Sequence, residues 1–377
     1  MTLYFVAGEA SGDEHGAALM RALRELQPDL GFIGRGGPRM KAIAGEHFIN
    51  WSDAAAIVGL WEVVKHYGYF RAQFRATLQE VAENQPDAVV LIDYPGFNLR
   101  LARALRGRST ALKIIYYISP QVWAWNRGRI RAMARSLNLM LCIFPFEAEL
   151  YNQSGLRTIF VGHPMIENLG ARRIDAPRDP NLIGLFPGSR LREVRKIFPI
   201  MLAAAHEIAQ RQPGVRFAVA AASERLIAEI EQLLKRDDFP PDKIRIVAGE
   251  TSLVMQQASV GIIASGSATL EAAYFRLPFV LAYKVAWLTY FAARVVVRVK
   301  YLGMPNVLAN RQIVPEFIQH RARPGAVANA VLKLMIDPAA RELMISEFNA
   351  IISKLGEGDA DQEAAQAILE EIGENKS

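Results

Sequence analysis

The chain has 377 residues, 51% of them hydrophobic, enough for two domains of ordinary size with their own cores. Its one cysteine, Cys142, excludes an internal disulfide, and no uncharged apolar run reaches the ~18 residues of a membrane-spanning helix. A net charge of +6 and a pI near 9.4 call for anionic partners: a nucleotide, a phosphorylated substrate, a membrane surface or nucleic acid.

In chain order, strand-like apolar runs alternate with helical patterns. The first half holds Leu3–Ala7, Phe32–Ile33, Ala88–Ile92, Lys113–Ile118, Leu139–Ile143 and Ile159–Val161. The second holds Leu182–Phe186, Phe217–Ala221, Ile244–Val247, Val260–Ala264 and Phe279–Ala282. Continuous apolar strands separated by crossover-length helices predict buried parallel sheets, an α/β architecture. The polar stretch 169–180, with Pro177 and Pro180, reads as the linker between two doubly wound domains. No basic leader precedes Leu3–Ala7, so no secretory signal is expected. From about Asp359 an acidic amphipathic helix presents Ala365, Ile368, Leu369 and Ile372 on one face.

Ligands of open α/β sheets bind beyond the carboxyl ends of the strands, and the polar, glycine-bearing clusters fall at those ends. The first strand runs into Gly8-Glu9-Ala10-Ser11-Gly12-Asp13, a tight turn in which Ser11 and Asp13 suit either a helix cap or ligand contact. It is not GxGxxG, so a dehydrogenase loses its main support. Gly34–Met40 is a second permissive, basic loop. Val58–Val64, with Trp61, Val63 and Val64, continues into Tyr67, Tyr69 and Phe70 and reads as an interfacial segment or a core helix; Val285–Tyr301 is a second such candidate. Asp93 closes the Ala88–Ile92 strand, where a carboxylate serves either as a general base or as a turn residue for the Pro95 loop. Trp123 and Trp125 suit a sugar or acyl surface, or core packing, and Arg127, Arg129, Arg131 and Arg135 follow them.

In the second half, Leu185-Phe186-Pro187-Gly188-Ser189-Arg190 joins a strand to a charged helix. Free N–H groups, the helix dipole, a glycine and a guanidinium there suit a phosphate, or else mark an ordinary capped helix with an exposed arginine. Ser265-Gly266-Ser267-Ala268-Thr269-Leu270-Glu271 repeats the pattern and adds a carboxylate for ribose hydroxyls. Asn306 and Arg311 supply further polar groups. The GxxxxGK[ST] loop of nucleotide hydrolases is missing, and no His or Cys spacing suggests a metal.

Ten segments, most of them named above, resemble in order the lipid-A-disaccharide synthase family: Ala7–Asp13, Gly37–Met40, Gly59 with Glu62-Val63, Ile92–Asn98, Ser119–Trp125, Phe144–Glu147, Gly162–Pro164, Leu185–Arg190, Ser265–Glu271 and Pro305–Leu308. The resemblance implies two Rossmann-like doubly wound domains facing a cleft, the glycosyltransferase B arrangement. Residues 1–168 would bind acceptor and acyl chains and 169–345 the UDP-sugar. Residues 346–377 would be a helical segment packing on the first domain or a partner subunit.

The implied reaction is inverting and independent of metal or cofactor. It would move 2,3-diacylglucosamine from UDP-2,3-diacylglucosamine to the 6-hydroxyl of 2,3-diacylglucosamine 1-phosphate (lipid X), giving a β-1,6 disaccharide 1-phosphate and UDP. Asp93, with Glu9, would be catalytic. Gly188, Ser189, Arg190, Ser265, Gly266, Ser267, Thr269, Glu271, Asn306 and Arg311 would hold the donor. Ser11, Gly12, Asp13, Trp61, Val63, Val64, Trp123 and Trp125 would hold the acceptor. An anionic membrane surface on the cytoplasmic face of the inner membrane and a second subunit are further expected partners; nucleic acid is not. Tyr94 and Gly96 depart from the family, where a small residue and an acid are commoner, which concentrates the base assignment on Asp93. The competing readings are a UDP-N-acetylglucosamine 2-epimerase or a peptidoglycan N-acetylglucosaminyltransferase of the same architecture, and a basic nucleic-acid binder that lacks a reader motif.

Overall fold

A computed structural model describes residues 1–51, 67–125, 128–174, 177–287, 290 and 299–373. The chain divides into two compact units, Met1–Pro164 with Leu355–Ser377, and Met165–Lys354. The division falls after Pro164 and again after Lys354, where the sequence reading put 168 and 345.

The first unit is built on seven parallel strands: β1 (Thr2–Ala7), β2 (Gly31–Gly36), β3 (Phe48–Asn50), β4 (Ala88–Ile92), β5 (Lys113–Tyr117), β6 (Leu139–Cys142) and β7 (Thr158–Phe160), in the order 3-2-1-4-5-6-7. The second has β8 (Asp179–Phe186), β9 (Arg216–Ala221), β10 (Ile244–Ala248), β11 (Ala258–Ile263), β12 (Phe279–Tyr283) and β13 (Glu316–Ile318), in the order 10-9-8-11-12-13. Each is a Rossmann-like doubly wound sheet. Helices cover both faces, so β4 is buried along its whole length, which is why these strands read as unbroken apolar runs.

The order reverses between β1 and β4, and again between β8 and β11, leaving a crevice at the carboxyl ends of each pair. Register sets what emerges there. Ala7 lies opposite Ile92, so Glu9 and Asp93 leave adjacent strands together. Phe186 lies opposite Ile263, so the Gly188 and Ser265 loops do the same.

Two short strands, β3 and β13, lacked a periodicity long enough to read. β2 extends through Gly36, so part of the basic loop is sheet rather than ligand surface. Arg35 is 3% exposed there and ion-paired with Glu80. Gly34 has φ +129, and a Cβ would stand 2.1 Å from the Phe5 carbonyl oxygen. The terminal helix Ala360–Gly373 buries Ala364, Ala365, Ile368 and Ile372 in the first unit's core. Glu371 anchors it to Lys113 and Arg157, at 2.8 Å each.

Candidate active site

In the first unit the β4–helix turn is strained and tightly held. Asp93 and Tyr94 have φ of 44° and 50°, unusual for side-chain-bearing residues. The Asp93 N–H donates to the Tyr117 carbonyl at 3.0 Å. Its own carbonyl accepts from the buried Asn98 amide at 2.8 Å and from the Tyr116 hydroxyl. The backbone is thereby fixed while the carboxylate is left to act. Burial raises the Asp93 pKa above its ordinary value and the nearby Glu9 carboxylate raises it further, against a backbone hydrogen bond from Tyr94 that lowers it. A proton-accepting carboxylate benefits from that direction. Glu9 is exposed at the start of the helix Ala10–Leu26 and makes no side-chain capping bond.

Behind this turn is an aromatic cluster. The Trp51 indole donates to the Ala7 carbonyl at 2.6 Å and packs edge-on to Tyr94 and Phe97. The Tyr94 ring lies over Gly8, where a Cβ would stand 2.4 Å from it. Gly8 is therefore needed to seat Tyr94 beside the carboxylates.

Several acceptor assignments do not survive. Asp13 is 3% exposed, and its carboxylate accepts from the N–H groups of Gly37, Arg39 and Met40, each at 3.0 Å. It serves the first-turn N–H groups of the helix Pro38–Ala44 and is held almost wholly out of solvent. Asp13→Ala is expected to cost about 2–3 kcal/mol in stability, because three buried donors lose one charged acceptor, without changing acceptor KM. Thermal melting and steady-state kinetics together check this. Trp123 is 6% exposed, with its indole N–H donating to Glu147 at 2.7 Å and its ring edge-on to Phe146, so it is core rather than a sugar platform. Gly12 is buried against Ala7, where an added Cβ would make ordinary contact at 3.4 Å; Ser11 is exposed in the first helical turn. Trp125 ends the short helix Val122–Trp125. Trp61, Val63 and Val64, the residues 126–127, and most of 285–301 lie outside the described residues.

In the second unit, a cavity of about 440 Å³ brings together Gly188, Ser189, Arg190, Ser265, Gly266, Ser267 and Glu271. That volume falls in the range of whole-ligand pockets. Gly188 (φ +108) turns the chain into the helix Leu191–Arg211, and a Cβ there would meet the Glu193 carboxylate at 2.7 Å. Arg190 stands at the N-cap position of that helix, where its side chain makes no capping bond and its backbone N–H donates to Glu193. Its guanidinium is 74% exposed and only loosely paired with Glu193, at 3.5 Å, so it is free to turn toward an anion. Gly266 (φ +148) opens the opposite loop. Glu271 has its pKa raised by burial, against the Ser267 hydroxyl and the Arg172 charge, which lower it.

Three donor assignments are corrected. Thr269 is fully buried; its hydroxyl donates to the Gly266 carbonyl at 2.8 Å and accepts from Met304 N–H, so it shapes the loop from behind. Asn306 is also fully buried. Its amide donates to the Val314 carbonyl and Glu316, and its oxygen accepts from Ile313 and Val314 N–H, leaving nothing for a ligand. Arg311 pairs with Glu347 and lines a different cavity, with Lys333 and Leu343. Three further polar residues of the lining, Arg172, Thr251 and Ser252, were not among the sequence candidates, and the Glu193 carboxylate also faces the cavity. Thr251 and Ser252 follow the Ile244–Val247 strand across Gly249, the same small-residue junction as at Gly188. Arg172 had no local signal.

Among the described residues no three His, Cys, Asp or Glu side chains cluster as a metal site requires, and no helix is long and apolar enough to cross a membrane.

A family profile described as lipid-A-disaccharide synthetase matches residues 3–368. The lipid-A-disaccharide synthase of Geobacter sulfurreducens is 37% identical over 381 residues, covering 98% of this chain and 97% of the relative. That of Myxococcus xanthus is 34% identical, covering 97% and 96%. Among solved structures, the UDP-GlcNAc 2-epimerase of Neisseria meningitidis bound to UDP-GlcNAc aligns with a TM-score of 0.62 at 11% identity, covering 98% of this chain and all of that one, 100%. The calicheamicin glycosyltransferase CalG4 aligns at 0.60 with 16% identity, covering 100% and 99%. At such identities the structural likeness speaks for the fold.

Proposed function

The chain belongs to the lipid-A-disaccharide synthase family of glycosyltransferases, and we propose that it transfers 2,3-diacylglucosamine from UDP-2,3-diacylglucosamine to the 6-hydroxyl of 2,3-diacylglucosamine 1-phosphate with inversion. The observation that carries this reading is the convergence of the Gly188–Arg190 and Ser265–Glu271 loops on one nucleotide-sized cavity at the second unit's switch point.

In this mechanism the diphosphate lies against Gly188, Ser189 and Arg190, and Glu271 accepts the ribose hydroxyls. Asp93 takes the proton from the acceptor 6-hydroxyl as its oxygen attacks the anomeric carbon. The C1–O bond to UDP breaks with its electron pair leaving on the diphosphate, whose charge the backbone N–H groups and the guanidinium stabilise. One displacement inverts the centre and needs one base. Glu9 keeps the Asp93 proton affinity high and contacts the sugar.

Incubating the protein with radiolabelled UDP-2,3-diacylglucosamine and lipid X, then separating products by thin-layer chromatography, tests the reading. A disaccharide 1-phosphate supports it. No disaccharide, with UDP-GlcNAc epimerised instead, overturns it.

We further propose that the protein attaches to the anionic cytoplasmic face of the inner membrane and assembles as a homodimer. The basic net charge and the half-exposed Trp287 support the first. The expected result is flotation with vesicles containing anionic lipid, weakened by salt; no flotation at low or high salt removes it. Sedimentation velocity reads the second.

A further inference from the structure

A second basic cavity lies in the first unit, between the helices Pro95–Arg108 and Gly128–Ala134. It is a groove of about 170 Å³ flanked by Arg100, Arg103 and Arg129, with Pro95 and Gly96 at one end and no carboxylate in its lining. We propose that this groove binds the phosphomonoester of the lipid acceptor. The proposal rests on the reading that the acceptor is a sugar 1-phosphate.

Charge is the first argument. Arg100 and Arg103 are exposed and one helical turn apart on one face, and neither has a hydrogen bond or ion pair among the described residues. Like charges at that spacing repel, and a dianion between them removes the repulsion. Guanidinium forks match phosphate oxygens bidentately. The positive end of the 14-residue helix Pro95–Arg108 opens on the same groove.

Size is the second. The groove falls below the ~300 Å³ of whole-ligand pockets, so it suits a headgroup rather than a nucleotide sugar. Position is the third. Pro95 and Gly96 follow Asp93 directly, so the turn that presents the base also forms the groove's end. A phosphate is repelled by the Glu9 and Asp93 carboxylates and needs an oppositely charged seat away from them. Anchored in the groove, it would hold the acceptor sugar beside the base.

The test is titration of the full chain with glucosamine 1-phosphate, followed by ³¹P NMR, for wild type and the Arg100→Ala/Arg103→Ala variant. The expected result is a loss of affinity of about ten-fold or more with UDP affinity unchanged. In turnover assays acceptor KM rises similarly while kcat barely moves. The variant no longer distinguishes lipid X from its dephosphorylated form. Equal binding of glucosamine 1-phosphate by both proteins overturns the proposal. So does a variant that loses affinity for phosphatidylglycerol vesicles yet keeps its preference for phosphorylated acceptor, which would assign the groove to membrane headgroups. Inorganic phosphate that binds as tightly as the sugar phosphate without competing with lipid X also overturns it. If wild type makes no disaccharide, the parent reading fails, and the titration still reads the groove.

Discussion

Asp93→Asn is expected to lower turnover about 10³-fold, within the 10²–10⁴ that a positioned general base contributes, while UDP binding stays at the wild-type level. The substitution is clean for a structural reason. Position 93 has φ 44°, a left-handed conformation in which asparagine is among the best tolerated side chains. The hydrogen bonds that hold the turn come from the Asn98 and Tyr116 side chains to the Asp93 backbone carbonyl, which the variant keeps. Stability should not fall. A carboxylate whose native pKa lies above the ordinary 3.8 binds its proton more tightly folded than unfolded. Its stabilising contribution is complete below pH 3.8 and is lost as pH rises through the native pKa. At neutral pH the wild-type protein therefore holds a disfavoured, partly buried charge, and Asn removes it. Melting temperature at pH 7 is expected to equal or exceed that of wild type. The acid limb of the wild-type kcat/KM profile should follow the raised Asp93 pKa. Glu9→Gln, by removing a like charge, should move that limb to lower pH. Wild-type-like turnover by Asp93→Asn would remove Asp93 from the mechanism.

Arg190→Ala is expected to lower kcat/KM about 10²-fold or more with no change in melting temperature. The guanidinium is 74% exposed and, among the described residues, pairs with Glu193 alone, at 3.5 Å, an arrangement worth little to folding. Its value in the proposed reaction lies in the charge that appears on the departing diphosphate, so kcat should fall along with donor affinity. Arg190→Lys should restore only part of the loss, because an ammonium lacks the planar fork that meets two phosphate oxygens. Steady-state kinetics in donor, with UDP calorimetry, separates the two effects. Unchanged kcat/KM would place the diphosphate elsewhere.

Much of this molecule was legible from the linear chain. Buried parallel strands leave unbroken apolar runs, and strand-to-helix junctions that approach a ligand leave small residues, so Gly188, Ser265 and Asp93 stood out at strand ends. The three-residue strands β3 and β13 did not, because so short a stretch carries little periodicity and, unlike β7 with its run Ile159–Val161, neither lies in an unbroken apolar triplet.

The sequence by itself determined two α/β sheets and the loops that could meet a ligand at their carboxyl ends. Only the tertiary structure decided which polar residues in those loops remain available. Asp13, Thr269, Asn306 and Arg311 have the chemistry of ligands, yet each is occupied by partners distant along the chain or by the backbone of its own loop. A polar side chain serves whichever unpaired group the fold brings within about 3 Å, and neither composition nor spacing encodes that neighbour. Strand order did the same for Glu9 and Asp93, setting side by side two carboxylates that are far apart in sequence.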